Sequence, residues 1–181
     1  MKKTIIAASI LLLTSCATPE KLGPTCPQAG LLPGAATIPI FVDEVNKEDL
    51  RVLGEVGSFK GACRYKTGKP AEFHLELDFM AKKLPKAGDL KGLKFPYFIA
   101  VLSPNETILQ KDRFWTKIDF DNNDAVIVKE EHDIKIPVDS AAAGGDYKIV
   151  FGFELTKEQL AFNRGQNLKP DAIPKTMETK K

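Results

Sequence analysis

Side chains that usually carry chemistry are scarce in this chain: two histidines, one tryptophan and three cysteines in 181 residues. His74 and His132 lack metal-ligand spacing such as His-Glu-x-x-His, and no Cys-x-x-Cys redox pair is present. No serine stands in Gly-x-Ser-x-Gly or Ser-x-x-Lys, which removes the sequence signatures of the common serine nucleophiles. Gly144-Gly145 follows three alanines and reads as a flexible turn. A phosphate loop would need a strand-to-helix junction with a following lysine. No apolar run reaches the roughly 20 residues of a membrane-spanning helix, and no internal repeat is visible. Charge of one sign is missing too, with 26 basic against 24 acidic residues. That balance gives no electrostatic footprint for DNA, RNA or anionic lipid. We therefore expect no nucleic-acid partner, no cofactor and no catalytic role.

What the chain does have begins at its first residues. Lys2 and Lys3 form a cationic start, and Ile5–Leu13 is an apolar run broken only by Ser9. This run is about half the length of a stable span and fits the core of a signal peptide. Leu13-Thr14-Ser15-Cys16 then resembles the lipobox of lipoprotein signal peptides, a branched residue and two small ones before a cysteine. The resemblance implies cleavage before Cys16 and acylation of its thiol and of the new amino terminus, with palmitate-type chains. Two or three chains, at about 0.8 kcal/mol per buried methylene, hold a protein far more firmly than one. Ala17 stands where inner-membrane retention would place aspartate, so by the same resemblance the destination is the outer membrane, periplasmic face. Removing residues 1–15 takes away Lys2 and Lys3 and no acid, leaving 24 charges of each sign.

With Cys16 used by lipid, Cys26 and Cys63 remain in an oxidising compartment, where an intramolecular disulfide is the natural inference. A free thiol pair and a redox site are the alternatives. The bridge would restrict the unfolded chain by roughly 4 kcal/mol in the entropy model.

Residues 16–34 hold four prolines and three glycines and read as an extended, lipidated tether. Residues 165–181, with Pro170 and Pro174, read as an unstructured tail. Residues 35–164 are dominated by a period of two. Phe73, Leu75, Leu77 and Phe79 alternate with Glu72, His74, Glu76 and Asp78; similar alternation covers Phe114–Phe120, Ile134–Val138 and Tyr147–Phe153. Tyr97–Leu102 is apolar on both faces and suits a central strand. Weaker strands are expected at 37–42, 51–56, 62–66, 107–111 and 125–130. Seven to nine short strands between turn signals predict an all-β, antiparallel, immunoglobulin-like sandwich, with a small open barrel as the alternative. The immunoglobulin Cys-Trp-Cys order is absent because Trp115 follows both cysteines. Thr156-Lys157-Glu158-Gln159 is a capping box for one short C-terminal helix ending near Gly165, which must pack on an edge or open end of the sheets.

Pro96–Val101, the Ile108–Phe114 stretch after a Pro-Asn-Glu turn, Gly61–Tyr65 and above all Tyr147–Arg164 are similar to a family of uncharacterised proteobacterial envelope lipoproteins. The resemblance covers most of the chain from Cys26 to Arg164. It implies the compartment and a single domain, and carries no catalytic residue. Lys157 stands where the family usually has proline.

Four weak candidates remain. Asp119, Asp121, Asn123 and Glu130 match the oxygen-donor spacing of a calcium loop, although Asp124 replaces the required glycine and strand patterns flank the segment. Glu76 and Asp78 read as a solvated strand face, not a glycosidase pair. Both histidines read as solvated strand residues. Phe95, Tyr97, Phe98, Phe114, Trp115, Phe151, Phe153 and Phe162 read as mostly core by alternation; Trp115, pointing opposite to Phe114, is exposed or under the helix, and the core reading is preferred to an exposed contact patch. The functional expectation is a membrane-anchored, non-catalytic envelope lipoprotein acting through contacts with another envelope protein in assembly or stability. A carrier of a small apolar ligand or lipid, and a hydrolase assembled from distant residues, are the rivals.

Overall fold

A computed structural model describes residues 25–42, 49–66, 69–138 and 141–166. They form eight strands, β1 (Gln28–Leu31), β2 (Thr37–Phe41), β3 (Leu50–Arg64), β4 (Ala71–Lys83), β5 (Gly92–Leu102), β6 (Ile108–Asp119), β7 (Ala125–Ile136) and β8 (Lys148–Phe153), followed by a helix α1 (Lys157–Gln166). One sheet has the order β1-β8-β5-β6 and the other β2-β3-β4-β7. Strands β4 and β7 pair in one sheet while β5 and β6, which lie between them in sequence, pair in the other. These crossings make the expected all-β sandwich of two sheets.

The alternation in β4 explains the assembly. Phe73, Leu75, Leu77 and Phe79 are buried and their neighbours partly exposed. They meet Phe95, Tyr97, Ile99 and Val101 from β5, which is buried on both sides over much of its length. Rings interlock across the gap: Phe79 lies 4.7 Å from Tyr97 and 5.4 Å from Phe153, and Phe95 lies 5.5 Å from Phe153. Each such ring buried is worth about 2–3 kcal/mol by area, so this layer is the main favourable term.

Three expectations change. β3 is one 15-residue strand, where the sequence suggested two, 51–56 and 62–66. A bulge between Val56 and Ser58 absorbs the irregularity, and the Phe73 ring occupies the space a side chain at position 61 would need. Strands β6 and β7 likewise each join two expected segments. The tether reading to residue 34 is corrected most. Gln28–Leu31 pairs in parallel with Lys148–Phe151 as β1, so the folded domain begins before residue 35. Prolines flank this strand at 27 and 33 without entering it, and the open edge of β8 supplies its partner groups. At the other end α1 runs to Gln166, past the expected boundary at 164.

The helix lies against β2, an edge strand. Its capping box forms as the sequence implies: the Thr156 amide donates to Gln159 Oε1 at 2.9 Å, and the Gln159 amide to Thr156 Oγ1 at 3.2 Å. Phe162 meets Phe41 edge-on at 5.3 Å. Buried Asn163 donates to the carbonyls of Gly34 at 3.0 Å and Thr37 at 2.9 Å, tying α1 to the start of β2 and the turn before it.

Candidate functional site

The segment where the chain enters the domain is held three ways. Cys26 is bridged to Cys63 of β3, with Cα atoms 5.6 Å apart. The Tyr65 hydroxyl donates to the Thr25 carbonyl, and the Gly145 amide donates to Thr25 Oγ1 at 2.9 Å. Gly144 is buried against the Tyr65 hydroxyl, and a side chain there would collide with it. The pair read as a flexible turn is thus part of a latch inside a 3-10 segment, Ala141–Asp146. Cys16 and the remaining tether residues to Pro24 lie outside the described residues, as do residues 167–181 of the expected tail.

His74 stands on the outer face of β4, opposite Asp133 of β7 in register. Its Nδ1 is 2.9 Å from Asp133 Oδ1, and its Nε2 is 3.8 Å from Glu76 Oε1. The Asp133 hydrogen bond raises its pKa against the opposing effect of desolvation, with the charges of Asp133, Glu131 and Glu76 adding to the rise. Ala62, Cys63, Arg64, Glu72, His74 and Asp133 line a shallow cleft of about 300 Å³. The histidine and carboxylates could exchange a proton there, but this lining contributes no hydroxyl or free thiol as a nucleophile.

His132 corrects the sequence reading. It faces inward from β7, half-buried, where a solvated residue was expected. Its Nε2 lies 2.8 Å from the Tyr97 hydroxyl, and its ring packs 4.3 Å from Phe114. Desolvation lowers its pKa, opposed by the charges of Glu130 and Asp133. Burial, with a contribution from Glu130, pushes the Tyr97 hydroxyl above its ordinary range, so Tyr97 keeps its proton and shares a hydrogen bond with neutral His132 whose direction follows the imidazole tautomer. The signal was present: Ile134 and Ile136 point inward, and a period of two puts His132 and Glu130 on the same face.

The calcium spacing is pulled apart by extended backbone. Asp119 ends β6 and pairs with Lys117 at 2.8 Å, while Asp121 and Asn122 form a turn with positive φ of 40° and 70°. Glu130 sits five residues along β7, roughly 17 Å from its start. Among the described residues no group of three or more His, Cys, Asp or Glu side chains is placed to hold a metal. Glu76 and Asp78 face solvent on β4 and share Lys129, at 3.3 and 3.9 Å.

Trp115 is 54 % exposed on edge strand β6, away from α1, which packs on β2 of the other sheet. The Arg113 guanidinium lies 5.0 Å over its ring. Comparison with protein families, with curated proteins and with solved structures finds no match to this chain.

Proposed function

We propose that this chain is an envelope lipoprotein, anchored through lipid on Cys16 to the periplasmic face of the outer membrane, that acts without catalysis through protein contacts in envelope assembly or stability. The lipobox-like Leu13–Cys16 and the likeness to envelope lipoproteins support the anchor. The latch supports a load-bearing attachment: the bridge and the Tyr65–Thr25 bond join the segment that follows the anchor to β3 instead of leaving it on the four-residue β1 alone. That is the observation that carries the reading. The interlocked rings of Phe79, Tyr97, Phe95 and Phe153 give a carrier little support, because a carrier needs a gap between its sheets.

Mass analysis of the mature product should show cleavage before Cys16 and a diacylglyceryl-modified thiol; an unmodified sulfur would remove the anchor. Crosslinking in intact envelopes, followed by pull-down, should recover a specific envelope protein. Recovery of none across growth conditions would refute action by contact.

One observation favours the hydrolase reading, the His74–Asp133 pair in its cleft. Under the contact reading, a His74→Ala strain keeps wild-type envelope integrity. Loss of integrity with the protein still folded and abundant would favour chemistry at His74.

A further inference from the structure

The pleat of β5 and β6 sorts a charge-balanced sequence unevenly. Phe95, Tyr97, Ile99 and Val101 point into the core, so their alternates and the residues in register with them form the outer face of the first sheet. That face carries Lys94, Lys111, Arg113, Lys117 and Lys148 around exposed Trp115. Arg113 pairs with Glu154, Lys117 with Asp119, and Lys148 with Glu106, which leaves cations in excess. Lys94 and Lys117 are directly opposite each other across the strand pair, an arrangement that repels. Lys111 lies over the Phe98 ring at 4.7 Å. The outer face of the second sheet differs, with acids and bases interleaved, as in Lys129 between Glu76 and Asp78.

The position of the face relative to the anchor is specific. Cys26 precedes β1, whose first residue Gln28 pairs with Lys148; Lys148 pairs with Leu102, and Leu102 with Ile108. The end where the chain enters therefore coincides with exposed Ile108 and Leu109, 60 % and 47 % exposed. Ten residue steps separate Cys16 from Cys26, at most roughly 35 Å when fully extended. A lipid on Cys16 would keep this end close to the bilayer.

We infer that the outer face of sheet β1-β8-β5-β6 lies against an anionic lipid surface, with Trp115 at the headgroup level and the lysines and Arg113 reaching phosphates. The inference rests on the lipid anchor proposed above. Tryptophan with flanking lysine and arginine is the combination that settles at a membrane interface, and each cation near an anionic surface strengthens attraction on the order of fivefold. Attachment is then in two parts, a lipid that holds the chain and a face that orients it, leaving the second sheet and α1 turned toward partners.

Trp115 is the only tryptophan, so the full lipidated chain carries its own reporter. It is reconstituted on vesicles of phosphatidylethanolamine with phosphatidylglycerol, and separately on phosphatidylcholine. On the anionic vesicles Trp115 emission should shift to the blue, brominated acyl chains should quench it, and acrylamide quenching should fall severalfold relative to the neutral vesicles. Raised salt, or the exposed pair Lys94→Glu and Lys117→Glu, should reverse these changes while the chain still pellets with vesicles. A second reporter, Trp115→Phe with Ile127→Trp on the opposite face, should stay open to acrylamide throughout. Trp115 equally open on both vesicle types, the result for a face that serves an acidic protein, would overturn the inference alone. Equal protection of both reporters would also overturn it. Failure to pellet with either vesicle would overturn the anchor as well.

Discussion

His74 and His132 differ by burial and by neighbours, and their ionisation acts on stability with opposite signs. His132 has its pKa lowered in the fold by desolvation, so the unfolded chain binds its proton more readily. The stability it contributes is full above its unfolded pKa near 6.5 and is lost as pH falls through the lower folded value. His74 has its pKa raised, first by the Asp133 hydrogen bond. Its contribution is full below about 6.5 and is lost as pH rises through the higher folded value. NMR titration should therefore place the two imidazoles on opposite sides of the free value. His132→Gln should flatten the acid limb of the stability profile, and His74→Ala the limb above 6.5. Two titrations on the same side would contradict the burial of His132 or the pairing of His74.

Strand β1 and helix α1 both depend on elements distant in sequence. As an edge strand of four residues paired only with β8, β1 is marginal alone, and the Cys26–Cys63 bridge, spanning 37 residues, holds its start in place. Replacing both cysteines with serine should cost about 4 kcal/mol in the entropy model, measured by denaturant unfolding. Hydrogen exchange should then quicken first at the amides of Gln28 and Leu32, which donate to Tyr147 and Phe151. Unchanged exchange there would mean that the Tyr65–Thr25–Gly145 contacts suffice. For α1, Asn163→Ala should destabilise the domain by about 1–3 kcal/mol, because it leaves buried carbonyls without their donor. If the helix is loosely docked, the loss will be near zero.

The whole molecule is stabilised by two sheets closing on one aromatic layer, and Phe79 touches both Tyr97 and Phe153 within it. Phe79→Ala should cost about 3–5 kcal/mol, with both sheets lost in a single transition. Separate transitions would show that the sheets are not one cooperative unit. The same two-sheet arrangement distributes charge: a chain with nearly equal acids and bases acquires one face with a cationic surplus around Trp115 because strand pairing places Lys94 beside Lys117. Composition sums over the chain and is blind to that.

Local periodicity and capping were legible without coordinates. The alternation of Phe73–Phe79 and Phe114–Phe120, the apolar Tyr97–Leu102 run and the Thr156–Gln159 box are encoded within a few residues, so the sequence by itself determined an all-β sandwich with one short C-terminal helix. It also identified Cys26 and Cys63 as the pair left to bridge. Tertiary structure alone decided the pairing of β1 with β8, the inward placement of His132 beside Tyr97, the separation of Glu130 from Asp119 and the Tyr65–Gly144 latch. Each of these depends on which distant strand supplies the neighbour. A strand's own pattern says that it has two faces, and only its partners determine what each face meets.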